Sequence, residues 1–291
     1  MSLSNTLCFI SQHPLAKRNR AAAFSRLLKW QINARLNPHP VVYPFVGDTK
    51  LLAWKGLTGV TGNIYAGLHE FEDMAFLLHF LREEDFFADI GANVGSYTVL
   101  AAGVCKSRAI AAEPLSDTFK ILKDNVLLNH LEEKVILKNV GVGEKSGKLF
   151  FTKSLDTMNH VAAEGDTDTL EVPVRTLDEI LPETPALIKI DVEGFEMAVL
   201  QGAGKTLENP SLKSLIIEIN KSSERYGHSS DEVHQLLVEQ SFRPFEYEPF
   251  SRKLSPLAGP NEGNTIYLRD IDFVIKRLET AVKISVLGQE F

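Results

Sequence analysis

The sequence predicts an α/β fold built on a mostly parallel, doubly wound, Rossmann-like sheet, and three observations carry that reading. The first is Asp89-Ile90-Gly91-Ala92-Asn93-Val94-Gly95, a glycine-rich turn entered from the apolar run Phe86-Phe87-Ala88 and left through helix-compatible residues from Ser96 to Ala102. A strand ending in an acid, a glycine turn and then a helix is how such sheets build a nucleotide pocket. The second is Glu113, which follows the next apolar run, Ala109-Ile110-Ala111-Ala112, and lies 18 residues beyond Gly95. An acid about 20 residues past the loop commonly holds a ribose hydroxyl pair. The third is the order of elements: five strands alternate with helices, and two strands separated only by a loop close the series. That order predicts seven strands, mostly parallel, with one antiparallel hairpin edge and an N-terminal helical and β extension.

Residues 1–40 read as a basic helical arm, in which 16–36 place Ala23, Leu27, Trp30 and Ala34 on one helical face. Residues 41–84 read as an extension packing on the core. Within it, 41–46 and 51–54 are short strands bracketing Gly47-Asp48, and 57–63 is a glycine-punctuated loop. Phe71, Met74, Ala75, Leu78 and Leu81 recur at helical spacing, so 70–82 is an amphipathic helix.

The cofactor-binding domain spans 85–270. Pro114 stops its second strand, and Ser116 or Asp117 caps a helix to about Asn129. The third strand is 135–140. Segments 148–151 and 170–174 pair as a hairpin in an insert, 145–175, whose polar middle, 153–169, reads as a lid because Asp156, Asn159, Glu164, Gly165, Asp166 and Asp168 bury little. Thr176 or Asp178 starts a short helix. The fourth strand, 186–191, leads through a turn into a helix ending near Glu208, and 215–219 is the fifth. A helix at 230–240 and strands at 242–247 and 264–268 follow, and 271–291 reads as a C-terminal helix.

Composition sets the outer bounds. A 291-residue chain with 44% hydrophobic residues supports an ordinary globular core. No run of about 18 apolar residues occurs, as a membrane-spanning helix would need. Cys8 and Cys105 fit no metal spacing, and together with the lack of a secretory signal pattern they point to a reducing, cytoplasmic setting. The net charge of −7 argues against a nucleic-acid binder. Residues 1–40, however, carry Lys17, Arg18, Arg20, Arg26, Lys29 and Arg35 and no acid, so the rest of the chain carries −13. A basic arm on an acidic body points to peripheral contact with a lipid headgroup surface or an acidic partner. The alternative is a solvated helix packed on its own domain. A homodimer is compatible with the composition.

Dinucleotide enzymes aim a helix N-terminus at a pyrophosphate and favour G-x-G-x-x-G. Here Asp89 stands directly before the loop and Asn93 replaces the middle glycine. A carboxylate there repels a pyrophosphate and attracts the cationic amino group of S-adenosylmethionine. The electrostatics favour S-adenosylmethionine over NAD, with a ligand-free glycine turn as the third reading. Ligands of open α/β sheets sit at the carboxyl ends of the strands, which places Asp89, Glu113 and Asp191 along one rim.

With D-I-G-A-N-V-G-S-Y-T, E-P and I-K-I-D-V-E-G-F-E in place, the chain resembles the FkbM family of S-adenosylmethionine-dependent methyltransferases. The likeness runs from about Val41 to Arg269 and includes Gly62-Asn63-Ile64-Tyr65, Arg175-Thr176-Leu177-Asp178 and Gly263-Asn264-Thr265. It implies a class I methyltransferase fold and transfer typically to oxygen, with sugar hydroxyls among the acceptors. Carried over residue by residue, it gives Asp89, Gly91, Asn93 and Gly95 the methionine end of the cofactor. Tyr97 and Thr98 pack on the cofactor or donate to its carboxylate. Glu113 accepts both ribose hydroxyls, and Asn139 to Gly141 border the adenine.

Methylating an alcohol is helped by a base near the methyl group. Asp191 and Glu193 are the candidates, and strand alternation puts Lys189 on the same face as Asp191, where it can hold that carboxylate. Asp191 is open to three roles: general base, orienting group for the acceptor or the cofactor amine, or ligand of a divalent metal with Glu193 and perhaps Glu218. The reading taken forward contains no metal. His160 and His228 read as bystanders. The competing functions are an NAD-dependent oxidoreductase, which lacks the Tyr-x-x-x-Lys pair its short-chain version needs, and a non-catalytic scaffold binding a partner through the arm. The acceptor, a glycan or another small molecule, is not specified.

Overall fold

The structure, a computed structural model, describes residues 3–152, 160–162, 166–219 and 221–291. Most of the expected lid, including Asp156, Asn159, Glu164 and Gly165, lies outside the described residues. The arm consists of α1 (Leu3–Gln12), α2 (Pro14–Arg18) and α3 (Arg20–Leu36) rather than one helix from 16. Asn19 makes the break: its side chain accepts the Ala22 N–H at 3.1 Å and caps α3. The inward face of α3 buries Ala23, Leu27 and Trp30, three of the four residues expected there.

A hairpin of β1 (Val41–Pro44) and β2 (Lys50–Ala53) follows. The expected loop at 57–63 is instead a helix, α4 (Thr58–Ala66). Its glycines serve close packing, not turning: a Cβ on Gly62 would stand 2.5 Å from the His69 ring, and one on Gly59 would stand 2.9 Å from Asn93 Oδ1. Helix α5 (Phe71–Phe80) forms where the apolar spacing expected one, but it is buried on nearly every side rather than being amphipathic.

The central sheet begins with β3 (Phe86–Ile90), β4 (Arg108–Ala112) and β5 (Val135–Lys138), joined by α6 (Ser96–Val99) with a π-helical continuation to Val104, and by α7 (Ser116–Leu128). A side sheet holds β6 (Gly141–Val142), β7 (Gly147–Thr152) and β8 (Thr169–Arg175), in which β7 and β8 form the expected hairpin. After α8 (Leu177–Ile180), capped by Thr176, come β9 (Leu187–Ile190), α9 (Glu196–Gln201), α10 (Gly204–Glu208) and β10 (Ser214–Ile219). Helix α11 (Ser230–Glu239) then leads to β11 (Arg243–Glu248), β12 (Lys253–Pro256) and β13 (Gly263–Leu268). The strand order is β12-β11-β13-β10-β9-β3-β4-β5, with β3, β4, β5, β9 and β10 parallel and β13 antiparallel to β10. This is the class I methyltransferase arrangement. It has eight strands, because the connection read as a plain loop contributes β12 at the edge.

The expected C-terminal helix stops early. Helix α12 (Ile271–Glu279) packs on α5, and a small hairpin of β14 (Ser285–Val286) and β15 (Gln289–Glu290) follows. Leu287 and Gly288 both have positive φ, +53° and +75°, which suits a two-residue hairpin turn and ends the helical path.

Alternation along the strands divides the core. Ala88, Ile90, Ile188, Ile190, Leu215 and Ile217 face one side with α8 to α11, while Phe87, Leu187 and Ile216 face the other with α5 and α12. The register places Asp89 opposite Lys189, and Glu218 opposite Asn264. All four therefore project from the α5 face, close to the carboxyl ends of β3 and β9. The chain reverses its order across the sheet at these two strands, which is where such a sheet opens a ligand crevice.

Candidate active site

A cavity of about 280 Å³ opens at this switch point. Its floor is the loop after β3. Gly91 has φ +78°, and a Cβ there would stand 1.8 Å from the Asp191 carbonyl oxygen, so glycine lets the ends of β3 and β9 approach. Asn93 is held at φ +49°, and its backbone N–H donates to Glu113 Oε2 at 3.0 Å. Asp89 is 2% exposed and accepts the Thr98 hydroxyl at 2.5 Å. Burial pushes its carboxyl up to about 6, against the Thr98 hydrogen bond and the Lys189 charge.

Glu113 stands at the end of β4. Its two oxygens accept one backbone N–H each, from Asn93 and from Leu115, both at 3.0 Å. Burial raises it to about 7; the two N–H groups oppose the rise, and Asp89 and Asp191 add to it. Each oxygen keeps a lone pair, so a vicinal diol can still be bound in bidentate fashion.

At the other end, the buried Lys189 donates to Asp191 Oδ2 at 3.0 Å and to Asn264 Oδ1 at 3.1 Å, with its ammonium 5.5 Å from the centre of the Tyr97 ring. Burial works against its charge, but Asp191, Glu70 and Glu218 outweigh burial and shift it upward. Burial also works to raise Asp191; the Lys189 charge and hydrogen bonds from Glu218 and Lys189 prevail and hold it below the usual range. Glu218 is pushed up to about 9, first by burial and then by the charge and shared hydrogen bond of Asp191, so it is a neutral donor at pH 7. Glu193, at φ +54°, is raised to about 7 by burial and by its neighbours Asp191 and Glu196. Asp191, Glu193 and Glu218 can each bring one oxygen within 4.8 Å of the others, a spacing that a hard cation could bridge.

Of the residues singled out in the sequence, Asp89, Gly91, Asn93, Tyr97, Glu113, Lys189, Asp191 and Glu193 line the cavity. Gly95, Thr98 and Asn139 do not. Gly95 presses on the Leu122 side chain in a left-handed conformation at the start of α6. The Thr98 hydroxyl is spent on Asp89 and is not available to a cofactor carboxylate. Strand β5 ends at Lys138, and the Asn139 amide is tied to the carbonyls of Glu113 and Pro114 at 2.9 Å, so of the expected Asn139 to Gly141 it is Val140 and Gly141 that reach the cavity. His160 lies buried 3.5 Å from Asp166, and neither it nor His228 lines this cavity.

Several lining residues escaped the sequence reading. Thr58, Gly59 and Asn63 come from α4, and His69 and Glu70 from the turn after it. Asn63 fixes that turn by accepting the His69 N–H at 2.7 Å while donating to Ser96 at 3.1 Å. Glu70 accepts the Tyr97 hydroxyl at 2.6 Å. Glu218 was weighed only as a metal ligand; its place opposite Asn264 in the strand register makes it part of the Lys189 cluster.

Comparison with known proteins gives the family. The model of the methyltransferase FkbM domain family matches residues 89–244, slightly over half of the chain. A hexuronic acid methyltransferase, AglP, of Haloferax volcanii is 28% identical over 167 residues, 56% of this chain and 65% of that protein. Methyltransferase 1 of Beauveria bassiana is 29% identical over 148 residues, 41% of this chain and 59% of that protein. The chain thus spans less than two thirds of the length of either curated relative. A solved FkbM methyltransferase from Methylobacillus flagellatus overlays with a TM-score of 0.46 at 17% identity, covering 72% of this chain and 52% of that one, a loose likeness that carries no weight here.

Proposed function

The chain belongs to the methyltransferase FkbM family, and we propose on that premise that it uses S-adenosylmethionine to methylate a hydroxyl group of a sugar or glycan. The observation that carries the reading is the distribution of charge along the cavity: carboxylates at both ends, with Lys189 as the one lysine or arginine among the described lining residues. The donor set fits that cofactor. Glu113 offers two oxygens to a ribose diol, and Asp89 and Asp191 offer negative charge to an ammonium and a sulfonium. The pyrophosphate of NAD would meet Asp89 unfavourably.

Bound there, S-adenosylmethionine supplies a methyl group on a cationic sulfur, and the protein's task is positioning and proton management. Glu193, raised to about 7, is tuned to take the proton of an acceptor hydroxyl near neutrality. Lys189 keeps Asp191 ionised, and Asp191 orients the ligand. Protonated Glu218 donates to Asp191 and limits the repulsion in the cluster. A sugar acceptor is supported by the hexuronic acid methyltransferase among the relatives and by a rim rich in carboxylates, which bind hydroxyls well.

Calorimetry with S-adenosylmethionine, S-adenosylhomocysteine and NAD tests the donor, with binding expected for the first two and none for NAD. Turnover of methyl-labelled donor against a panel of neutral and acidic oligosaccharides tests the acceptor. Binding without turnover on any of them would favour a cofactor-binding scaffold.

A further inference from the structure

Helix α3 is apolar on two sides. Its inward side packs on the body through Ala23, Leu27 and Trp30. Its outward side carries Leu28, Ile32 and Leu36, spaced by four and 62%, 50% and 79% exposed. Isolated exposed leucines are ordinary, but side chains four residues apart on a helix touch and form a continuous ridge. At about 100° per residue the three fall within an arc of about 80°, and Arg35 and Lys29 stand about 20° beyond its two borders.

The surroundings of the ridge are basic. Among residues 1–40, Lys17, Arg18, Arg20, Lys29 and Arg35 are exposed, and no acid occurs there. Arg26 is engaged with the Tyr65 carbonyl at 2.9 Å. Helix α3 packs on α1, α2 and α4, and the charged residues of those three helices are Lys17 and Arg18 of α2. The body carries −13, so the positive charge is segregated at this end.

We propose that the outer face of α3 docks on an anionic lipid bilayer, with Leu28, Ile32 and Leu36 entering the headgroup–acyl boundary and Lys29 and Arg35 engaging lipid phosphates. A narrow apolar ridge with long basic side chains on both borders is how a helix lies in a membrane interface: the stems cover apolar surface while the charges stay with the headgroups. Self-association through this face would bring one +6 arm against another, which the charges oppose. The helix also packs on α4, whose Thr58, Gly59 and Asn63 line the cavity, so docking would hold one cavity wall at the membrane surface.

The test is co-sedimentation of the full chain with phosphatidylcholine vesicles containing about one third phosphatidylglycerol, set beside pure phosphatidylcholine. Binding is expected to the anionic vesicles, weaker by about tenfold on the neutral ones and reduced by high salt. The triple variant L28Q/I32Q/L36Q and the pair K29E/R35E are each expected to weaken partitioning by about tenfold or more. Leu36→Gln alone, at the most exposed position and the end of the helix, is expected to weaken it by about threefold without disturbing the fold. Absence of vesicle binding, or equal binding by wild type and Leu36→Gln, would overturn the proposal. So would a dimer in sedimentation velocity that the triple variant dissolves, since the ridge would then cover a second copy.

Discussion

Replacing Lys189 with methionine removes the ammonium at the centre of the cluster while keeping a chain of similar length. Nζ lies 3.0 Å from Asp191 Oδ2, which at an effective dielectric near 20 is about 5–6 kcal/mol of gross attraction. The desolvation of Lys189 offsets part of that. Removing one partner of a buried pair nevertheless costs roughly 3–5 kcal/mol, because the other charge is left uncompensated. Asp191 is 33% exposed, so water relieves some of the loss and the lower figure, about 3 kcal/mol, is expected. For a chain of this size that is a fall in Tm of roughly 5–8 °C, measured by calorimetry at pH 8.

The loss should depend on pH in a defined direction. In the wild type, Asp191 is held below its usual pKa, so its contribution is present above about pH 4 and is lost only as pH falls through the depressed value. Lys189 is shifted upward, and its contribution holds to the alkaline side of about pH 10. Both terms are thus constant between pH 5 and 8. In Lys189→Met, Asp191 titrates higher and can take up a proton, so the destabilisation should shrink as pH is lowered from 8 to 5. A double-mutant cycle with Asp191→Asn should return a coupling of at least about 2 kcal/mol at pH 8. A variant as stable as wild type, a pH-independent loss, or a coupling near zero would refute the assignment of Lys189 as the counter-charge.

Four further outcomes are expected. Glu113→Ala should weaken S-adenosylmethionine binding by about 10- to 100-fold in calorimetry, the worth of charge-assisted hydrogen bonds to a diol. Transfer activity should rise with pH through about 7 as Glu193 loses its proton, and Glu193→Gln should remove that rise. Chelation of divalent ions should leave transfer unchanged, because Lys189 neutralises Asp191 and Glu218 is protonated, so the carboxylate cluster attracts a cation weakly; restoration by Mg²⁺ after chelation would contradict this. By denaturant titration the ligand-free protein should lose stability as pH rises from about 5 to 7, because the raised carboxyls that penalise folding over that range outnumber the lowered imidazoles that act the other way. Asp73, Glu113 and Glu193, each raised to about 7, penalise folding increasingly above their unfolded values near 4, with the full cost above about pH 7. His13 and His79, both lowered to about 4 by burial, penalise it as pH falls below about 6.5.

The parts of this site that could be read from sequence are those specified by local chemistry. Asp89 to Gly95 is legible because two glycines beside an acid at a strand end have few other uses, and both adopt the positive φ that excludes most side chains. Asp191 and Lys189 are legible because alternation fixes their common face. The α4 wall was not legible. Gly59 and Gly62 look like turn punctuation in sequence, yet what they permit is contact with Asn93 and His69, partners that only the fold brings near. The pairing of Glu218 with Asn264 is a register across antiparallel strands, which no local pattern records. Thr98 and Asn139 stand outside the cavity lining for a complementary reason. Their hydrogen bonds go to Asp89 and to the Glu113 and Pro114 carbonyls, and sequence does not say where a polar side chain spends its valence.

Those spent hydrogen bonds explain how the cavity keeps its acids in place before a ligand arrives. Asp89, Glu113, Glu193 and Glu218 are all raised with burial as the first cause, so each stands nearer its neutral form than it would in water. Asp191 alone is driven the other way, because Lys189 reaches it directly. Thr98 orients Asp89, and the N–H groups of Asn93 and Leu115 orient Glu113, so neither acid must reorganise to meet a partner. A ligand bearing positive charge near Asp89 and hydroxyls near Glu113 would stabilise the ionised forms that burial disfavours. Its binding would therefore release protons between about pH 6 and 7. An anionic ligand would gain nothing from either acid, and on the proposed function this asymmetry would favour a cationic donor.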